Sequence, residues 1–345
     1  MDEQKKQQPQ KKKRHLFRWL VRTLMFLIVM ALFTVGGYAY YLYETSKETV
    51  EQSYDSLRDV KSTMRDEQVE PLEDNLSILI VGIDDSEERA QGSTHARSDA
   101  LMVATLNNED KTIELLSIPR DSYTFIPSVH YATKINHAHA FGGIDSTIET
   151  VQNLLNIPID YYVEVNFNAF IDVVDALDGI TVDVPYDLHE LDEYDKRTVD
   201  LTAGTQQLTG REALALARTR HQDSDIERGK RQQMILEAIV NKATSTTSLT
   251  KYSEMITALG DNMTTNMSFD TMKSLFAYMK NGEPEMTSLA LEGYDDMSTG
   301  VYYYKLQQES VLSVRQSLQR QLGLPVDTDI NTDNTYLSSH VETAQ

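Results

Sequence analysis

From Thr23 to Tyr43 the chain runs for 21 residues without a charged side chain. A helix needs about 20 residues of this kind to cross a hydrocarbon core. The flanks are asymmetric. Residues 1–22 hold eight Lys or Arg against Asp2 and Glu3, although the whole chain has a formal net charge of -21. Trp19, Tyr38, Tyr40, Tyr41 and Tyr43 sit near the ends of the span, where interfacial aromatics are favoured. Positive charge before the span and acid after it predict a basic cytoplasmic segment at 1–22, a transmembrane signal-anchor at 23–43, and the bulk of the chain outside the cell. A cleaved signal peptide would have a shorter apolar core, about 7–15 residues, and small residues at a cleavage site. No Ala-x-Ala pattern follows this span. Cysteine is absent, which removes disulfides and suits a bacterial surface protein.

Glu44 to Asp74 is polar with scattered apolar residues and reads as a linker or helical stalk. From Asn75 the pattern changes. Leu76–Gly82, Leu101–Leu106 and Thr112–Ile118 are short apolar runs with polar borders, the signature of buried strands. Asn107–Lys111 is a plausible hairpin loop between the last two. A helix is expected at Asp145–Asn156, with Asp145 as N-cap. A strand at Tyr161–Phe167, a helix at Asn168–Leu177 stopped by Asp178-Gly179, and a strand at Ile180–Val184 follow. Asp187–Asp200 is acidic and reads as an exposed loop. Helices are expected at Thr209–Thr219, Ile226–Ala243, 249–262 and 269–281, strands at Thr287–Leu291 and Val301–Leu306, and a closing helix to Gly323. These elements predict one α/β (α+β) domain over 75–324, with a central mixed sheet flanked by helices, and a disordered tail at 325–345.

Three clusters can carry chemistry. Asp84 and Asp99 flank the first two strands, with Asp85 a rival to Asp84. If those strands are neighbours, both carboxylates reach one sheet edge, where oxygens of this kind hold Mg²⁺ together with water and phosphate. Spacing alone fits solvated loop acids better. Arg120, in Ser117-Ile-Pro-Arg-Asp121, emerges where the third strand ends. It can reach the same edge or pair locally with Asp121. The third cluster packs Arg218, Arg220, Arg228 and Arg231 into fourteen residues. Guanidinium forks match phosphate oxygens, so anion binding is the better account there than helix capping. Asp225, Arg228 and Gln232 would share one helix face. His137 and His139 lack the partners of a zinc site and read as ordinary core or surface histidines. No nucleophile elbow, phosphate-binding Walker loop or dinucleotide fingerprint occurs.

In this order, Ile78-Leu-Ile-Val-Gly-Ile-Asp84, Arg97-Ser-Asp99, Leu116-Ser-Ile-Pro-Arg-Asp121, Lys134-Ile-Asn-His-Ala-His-Ala-Phe-Gly-Gly143 and Ala217-Arg-Thr-Arg220, followed by Asp225, Arg228, Arg231 and Gln232, resemble the LytR–CpsA–Psr family of cell-envelope proteins. The resemblance runs from about Asn75 to Ala243. It implies a mixed sheet flanked by helices with an apolar groove for a prenyl lipid. It implies Mg²⁺ on Asp84 and Asp99, and a diphosphate on Arg120, Arg218 and Arg220. Asp225, Arg228 and Gln232 match further polar site residues, with Asp225 a candidate general base. Arg97 and Arg231 join the substrate-binding set. The loop Asp85–Ala96 is longer than the family pattern.

The function implied is transfer of an anionic glycopolymer, of teichoic acid or capsule type, from undecaprenyl diphosphate to peptidoglycan, with a pyrophosphatase side reaction when water is the acceptor. The expected location is the cell membrane. The groove should open near Arg120 and Arg218 and draw its walls from the helices at 145–156, at 168–177 and after 226. Two rivals stand beside this. A transcriptional regulator would need a DNA-binding domain, and 22 cytoplasmic residues are too few for one. An acidic outer part would repel nucleic acid. A non-catalytic binder of lipid-linked polymer would use the same arginines without turnover.

Overall fold

The computed structural model describes residues 40–51 apart from 42, residue 54, and residues 62–83, 97–192, 197–219, 225–245, 262–282 and 284–328. The Thr23–Tyr43 span lies outside these, except for residues 40, 41 and 43. No helix among the described residues is long and apolar enough to cross a membrane.

The centre is β1 (Leu76–Ile83). It is apolar on both faces, as a strand covered on both sides must be. It pairs antiparallel with β2 (Ser98–Asn107) and parallel with β6 (Tyr161–Asn166). β2 continues antiparallel to β3 (Thr112–Ser117), which carries β12 (Glu285–Ala290) in parallel. β11 (Met263–Thr265) closes the other side against β6. The result is a six-stranded mixed sheet in the order β11-β6-β1-β2-β3-β12. In the β2–β3 turn, Asn107 Oδ1 accepts hydrogen bonds from the backbone N–H groups of Glu109 and Asp110, at 3.0 and 2.8 Å.

One face of the sheet is a dry core. Leu79, Val103 and Leu116 pack there with Val151 and Leu155 of α1 (His137–Leu155) and with Val314 and Leu318 of α6 (Gln308–Gln321). α1 starts eight residues before the Asp145 expected from sequence. Gly142 and Gly143 are non-helical, Gly143 at φ 61°, and this kink separates 137–141 from the stretch that matches the expected helix. The helix at 145–156 was expected to wall the groove. It packs on the opposite face, because its apolar stripe meets Leu79 and Val103 rather than Ile78 and Ile80.

The other face is covered by α2 (Phe167–Ala176), α3 (Gly210–Arg218), α4 (Asp225–Thr244) and α5 (Phe269–Gly282). Asn166 caps α2 by accepting from Ala169 N at 2.9 Å. Thr209 and Glu212 form a reciprocal capping box on α3, which satisfies two orphan donors. Two glycines allow close contact. A Cβ on Gly210 would lie 2.3 Å from Ile171 O, and one on Gly229 would lie 2.5 Å from Ser117 Oγ. α3 therefore rests directly on α2, and α4 on β3.

Smaller ribbons decorate this frame. β4 (Tyr123–Ile126) pairs with β5 (Tyr131–Lys134), β7 (Ile180–Val184) with β10 (Gly204–Leu208), and β13 (Gly293–Asp296) with β14 (Tyr303–Leu306). The stretch read as an acidic loop contains β8 (Leu188–Leu191) paired with β9 (Arg197–Leu201). Asp187 and Asp200 are exposed there but Asp192 is buried, and Leu188, Val199 and Leu201 pack against Val182 and Leu216.

Residues 62–74 do not stand off as a linker. Arg65 forks onto Asp160 with two 3.0 Å bonds, Val69 joins the core, and Tyr161 donates to Val69 O at 3.0 Å. The helical residues 43–51 also touch the domain, Val50 against Phe269. The first residues of the expected tail are likewise held. Asp327 accepts from Asn156 and donates its backbone N–H to Gln319. The helix expected at 249–262 lies outside the described residues, apart from residue 262.

Candidate active site

The strand directions concentrate chemistry at one sheet edge. β1, β3 and β6 end there and β2 begins there. Ile83 pairs with Ser98, beside Asp99. Asp84 and Asp85 follow Ile83 and lie outside the described residues. Arg97 and Asp99 stand at the start of β2, and Arg120 just past β3. The turn after β3 is fixed by Ile118 N donating to Leu101 O and Ser122 N to Pro119 O, at 2.9 and 3.0 Å.

A cavity of about 710 Å³ runs inward from this edge, between the sheet and its helical cover. Ile80, Met102 and Val165 form part of its floor, and Phe170, Ile235 and Ile239 part of its roof. Here α2 and the residues after 226 supply walls, as expected. Ile78, Ile80, Val163 and Val165 on this face are only partly buried, unlike Leu79 and Val81 on the other side. An apolar cavity ending in a few convergent polar groups is the usual form of a small-molecule site.

The polar end gathers Arg97, Asp99, Arg120, Arg218, Arg228 and Gln232. Arg120 Nη1 donates to Asp99 Oδ1. Its Nε lies 3.6 Å from Asp121 Oδ2. That buried donor has no hydrogen-bond partner among the described residues. The local pair with Asp121 and the reach to the sheet edge, left as alternatives by the sequence, are both present. Arg218 ends α3 and lies over the Phe167 ring, 4.6 Å from guanidinium carbon to centroid. A contact with the ring face stabilises the cation without consuming its hydrogen-bond donors. Its Nη1 also reaches Asp192 O at 3.5 Å. Arg228 is buried, 5% exposed. Arg97 is exposed, and its charge adds to burial in pushing the His137 imidazole below its ordinary pKa.

Arg231 differs. It is absent from the cavity wall. Its Nε donates to Leu216 O at 3.1 Å and its Nη2 to Thr219 O at 2.7 Å. Gln232 adds a 3.3 Å bond to Ala217 O while also lining the cavity. These side chains satisfy the carbonyls that α3 leaves open at its C-terminus. The guanidinium expected to bind substrate thus secures the helix end that carries Arg218. Arg220 and the side chain of Asp225 lie outside what is described. His139 is a buried residue whose Nε2 meets Glu164 Oε2 at 2.8 Å. Phe167 and Phe170 were not singled out from the sequence. The signal was there: an aromatic follows directly on an N-cap asparagine at a strand end.

No group of three or more His, Asp or Glu that could hold a metal occurs among the described residues. A dedicated cage is not what Mg²⁺ needs. It is commonly held by one or two carboxylates together with phosphate oxygens and water. Asp99 faces the cavity end with hard oxygen donors and fits that use.

The mixed-sheet domain thus holds an apolar cavity whose wall includes Arg97, Arg120, Arg218 and Arg228. The family model for the LytR_cpsA_psr family matches residues 39–320, and the chain belongs to this family. It is 41% identical over 327 residues to the polyisoprenyl-teichoic acid–peptidoglycan teichoic acid transferase TagT of Bacillus subtilis (strain 168), covering 93% of this chain and 100% of that one. A structure of TagT bound to LIIa-WTA matches with a TM-score of 0.68 at 40% identity, covering 79% of this chain and 99% of that chain. A structure of YwtF (TagT) with bound octaprenyl pyrophosphate lipid matches with a TM-score of 0.63 at 38% identity, covering 77% and 98%.

Proposed function

We propose that this chain is a membrane-anchored transferase that moves an anionic glycopolymer from undecaprenyl diphosphate to peptidoglycan. The observation that carries the reading is the cavity itself, apolar along its length with Arg97, Arg120, Arg218 and Arg228 at one end. That arrangement matches a prenyl chain followed by a diphosphate. The apolar walls take the chain out of water, at about 0.8 kcal/mol per buried CH₂. Arg120 and Arg218 present donor forks to the phosphates, with Arg220 the further member expected from the sequence.

The step itself is a phosphoryl transfer. A sugar hydroxyl oxygen of peptidoglycan bonds to the phosphorus that bears the glycopolymer. The bond from that phosphorus to the bridging oxygen breaks, and the bridging oxygen leaves on the lipid monophosphate. The hydroxyl proton passes to a base, for which Asp225 is the candidate. Such reactions depend chiefly on positioning and on stabilising spread negative charge. The guanidiniums of Arg218, over the Phe167 ring, and of Arg120, both at the cavity wall, suit that task. Asp99, with Asp84, would hold Mg²⁺, which would supply positive charge beside the diphosphate. Water in place of the sugar gives a pyrophosphatase side reaction.

Purified protein should release lipid monophosphate from a genuine lipid-linked polymer and attach the polymer to peptidoglycan strands. Tight binding of the lipid without product would favour a non-catalytic binder. Protease added to intact protoplasts should digest the chain beyond residue 44 and spare the N-terminus. The reverse pattern would refute the anchored topology.

A further inference from the structure

Beyond Arg120, on the side away from the cavity, two ribbons join into one surface. A bridge between Ser122 and Tyr304 links the β4–β5 ribbon to the β13–β14 ribbon. Tyr304 is buried, so the alternation along β13–β14 turns Tyr294, Asp296, Tyr303 and Lys305 to the opposite, outer face. Tyr123 and Lys134 are register partners on β4–β5 and share its face. The side chains meet. Tyr123 and Tyr303 pack edge to face at 5.0 Å, and Lys305 Nζ lies 3.3 Å from the Tyr123 ring centroid. Tyr294 is 60% exposed and Met297, at the ribbon tip, is also 60% exposed. This surface is wired to the candidate active site. Lys134 Nζ bonds Asp121 Oδ1 at 2.8 Å, and Asp121 stands beside the Arg120 guanidinium.

We propose that this tyrosine–lysine surface docks the acceptor, an amino-sugar glycan strand bearing carboxylates. The inference rests on the transferase reading and names where its second substrate binds. Tyrosine rings offer flat apolar faces with a polar edge, a chemistry that suits pyranose rings. Asp296 can accept sugar hydroxyls, and the part-exposed Lys305 beside it can meet a carboxylate of the strand. Direction also favours the acceptor over the donor. Attacking and leaving oxygens lie roughly in line, and the lipid leaves into the cavity. The attacking hydroxyl must therefore come from the outer side of Arg120, where this surface begins. None of Tyr123, Lys134, Tyr294, Tyr303 and Lys305 lines the cavity.

The test uses the full chain in detergent, with lipid-linked polymer as donor and uncrosslinked peptidoglycan strands as acceptor. Tyr294→Ala and the double variant Tyr294→Ala/Tyr303→Ala should raise the acceptor KM, the double by about tenfold or more, because uniform binding is lost. The donor KM and the acceptor-independent release of lipid monophosphate should stay as in wild type. Tyr294 is so exposed that its single variant will fold. Lys305→Ala should raise the acceptor KM and flatten its dependence on salt. An unchanged acceptor KM in all these variants overturns the docking surface and leaves the transferase reading intact. A raised donor KM in its place would assign the surface to the donor polymer and also overturn the proposal. Failure of wild type to turn over any lipid-linked polymer would instead overturn the reading on which the proposal rests.

Discussion

Replacing Arg231 by alanine separates two roles that its sequence neighbourhood merges. The buried guanidinium donates to Leu216 O and Thr219 O. Hydrogen bonds involving a charged group are worth about 1.5–3 kcal/mol each. Losing both and leaving two carbonyls in a dry site should cost roughly 3–5 kcal/mol. For a domain of this size a kcal/mol moves Tm by about 2–4 °C, so the midpoint should fall by about 10 °C. Arg218→Ala should behave in the opposite way. Its stacking on Phe167 is worth about 0.5–1 kcal/mol, so Tm should move by only a few degrees. Its turnover should fall by about 10²-fold, since charge in the transition state loses a donor. Arg218→Lys keeps the charge but not the fork and should also be impaired. Thermal unfolding and release of lipid monophosphate, measured on the same preparations, decide the matter. If Arg231→Ala melts with wild type while losing donor binding, Arg231 is a ligand group and the capping argument fails. If Arg218→Ala turns over normally, the site is misplaced.

Three further outcomes are expected. Val165→Phe, on the cavity floor, should weaken binding of a prenyl diphosphate by at least about tenfold, because it takes the space of buried methylenes; unchanged affinity in a titration would place the lipid elsewhere. Asp99→Ala should raise the Mg²⁺ concentration needed for half-maximal turnover, since a carboxylate ligand is lost, whereas Asp85→Ala should do little; identical Mg²⁺ curves for wild type and Asp99→Ala would remove Asp99 from the metal site. The His137 pKa lies below its ordinary 6.5, first through burial and then through Arg97 and Lys134. Between 6.5 and the folded value the unfolded chain holds the extra proton, so stability should fall as pH drops through that window and level off below it. Denaturant titrations of wild type and His137→Gln should show that slope only in wild type.

The sheet was legible where burial is one-sided or complete. β1, β2 and β3 are continuous apolar runs, and the α2 boundary was marked by Asp178-Gly179, both at positive φ. The short ribbons were not legible. β4, β5 and β13 have four residues each, too few to establish a period of two against their polar and aromatic mixture; of these ribbons only β14 was marked, within the strand expected at Val301–Leu306. The helix expected at 145–156 is present, separated at the non-helical Gly142-Gly143 pair from a preceding turn of helix at 137–141 that the sequence did not mark. The site was legible in part. Spacing placed Arg228 and Gln232 on one face of α4, and both line the cavity. Spacing did not separate Arg228 from Arg231. Which of the two meets the cavity and which the end of α3 depends on where α3 lands, a contact between elements that no local pattern encodes.

The most direct test of the central claim is electron density for a prenyl diphosphate bound to this domain. The account predicts the chain lying along Ile80, Val165 and Ile235, with its phosphates on Arg120, Arg218 and Arg220. A lipid bound outside the cavity, or phosphates seated away from these arginines, would contradict it.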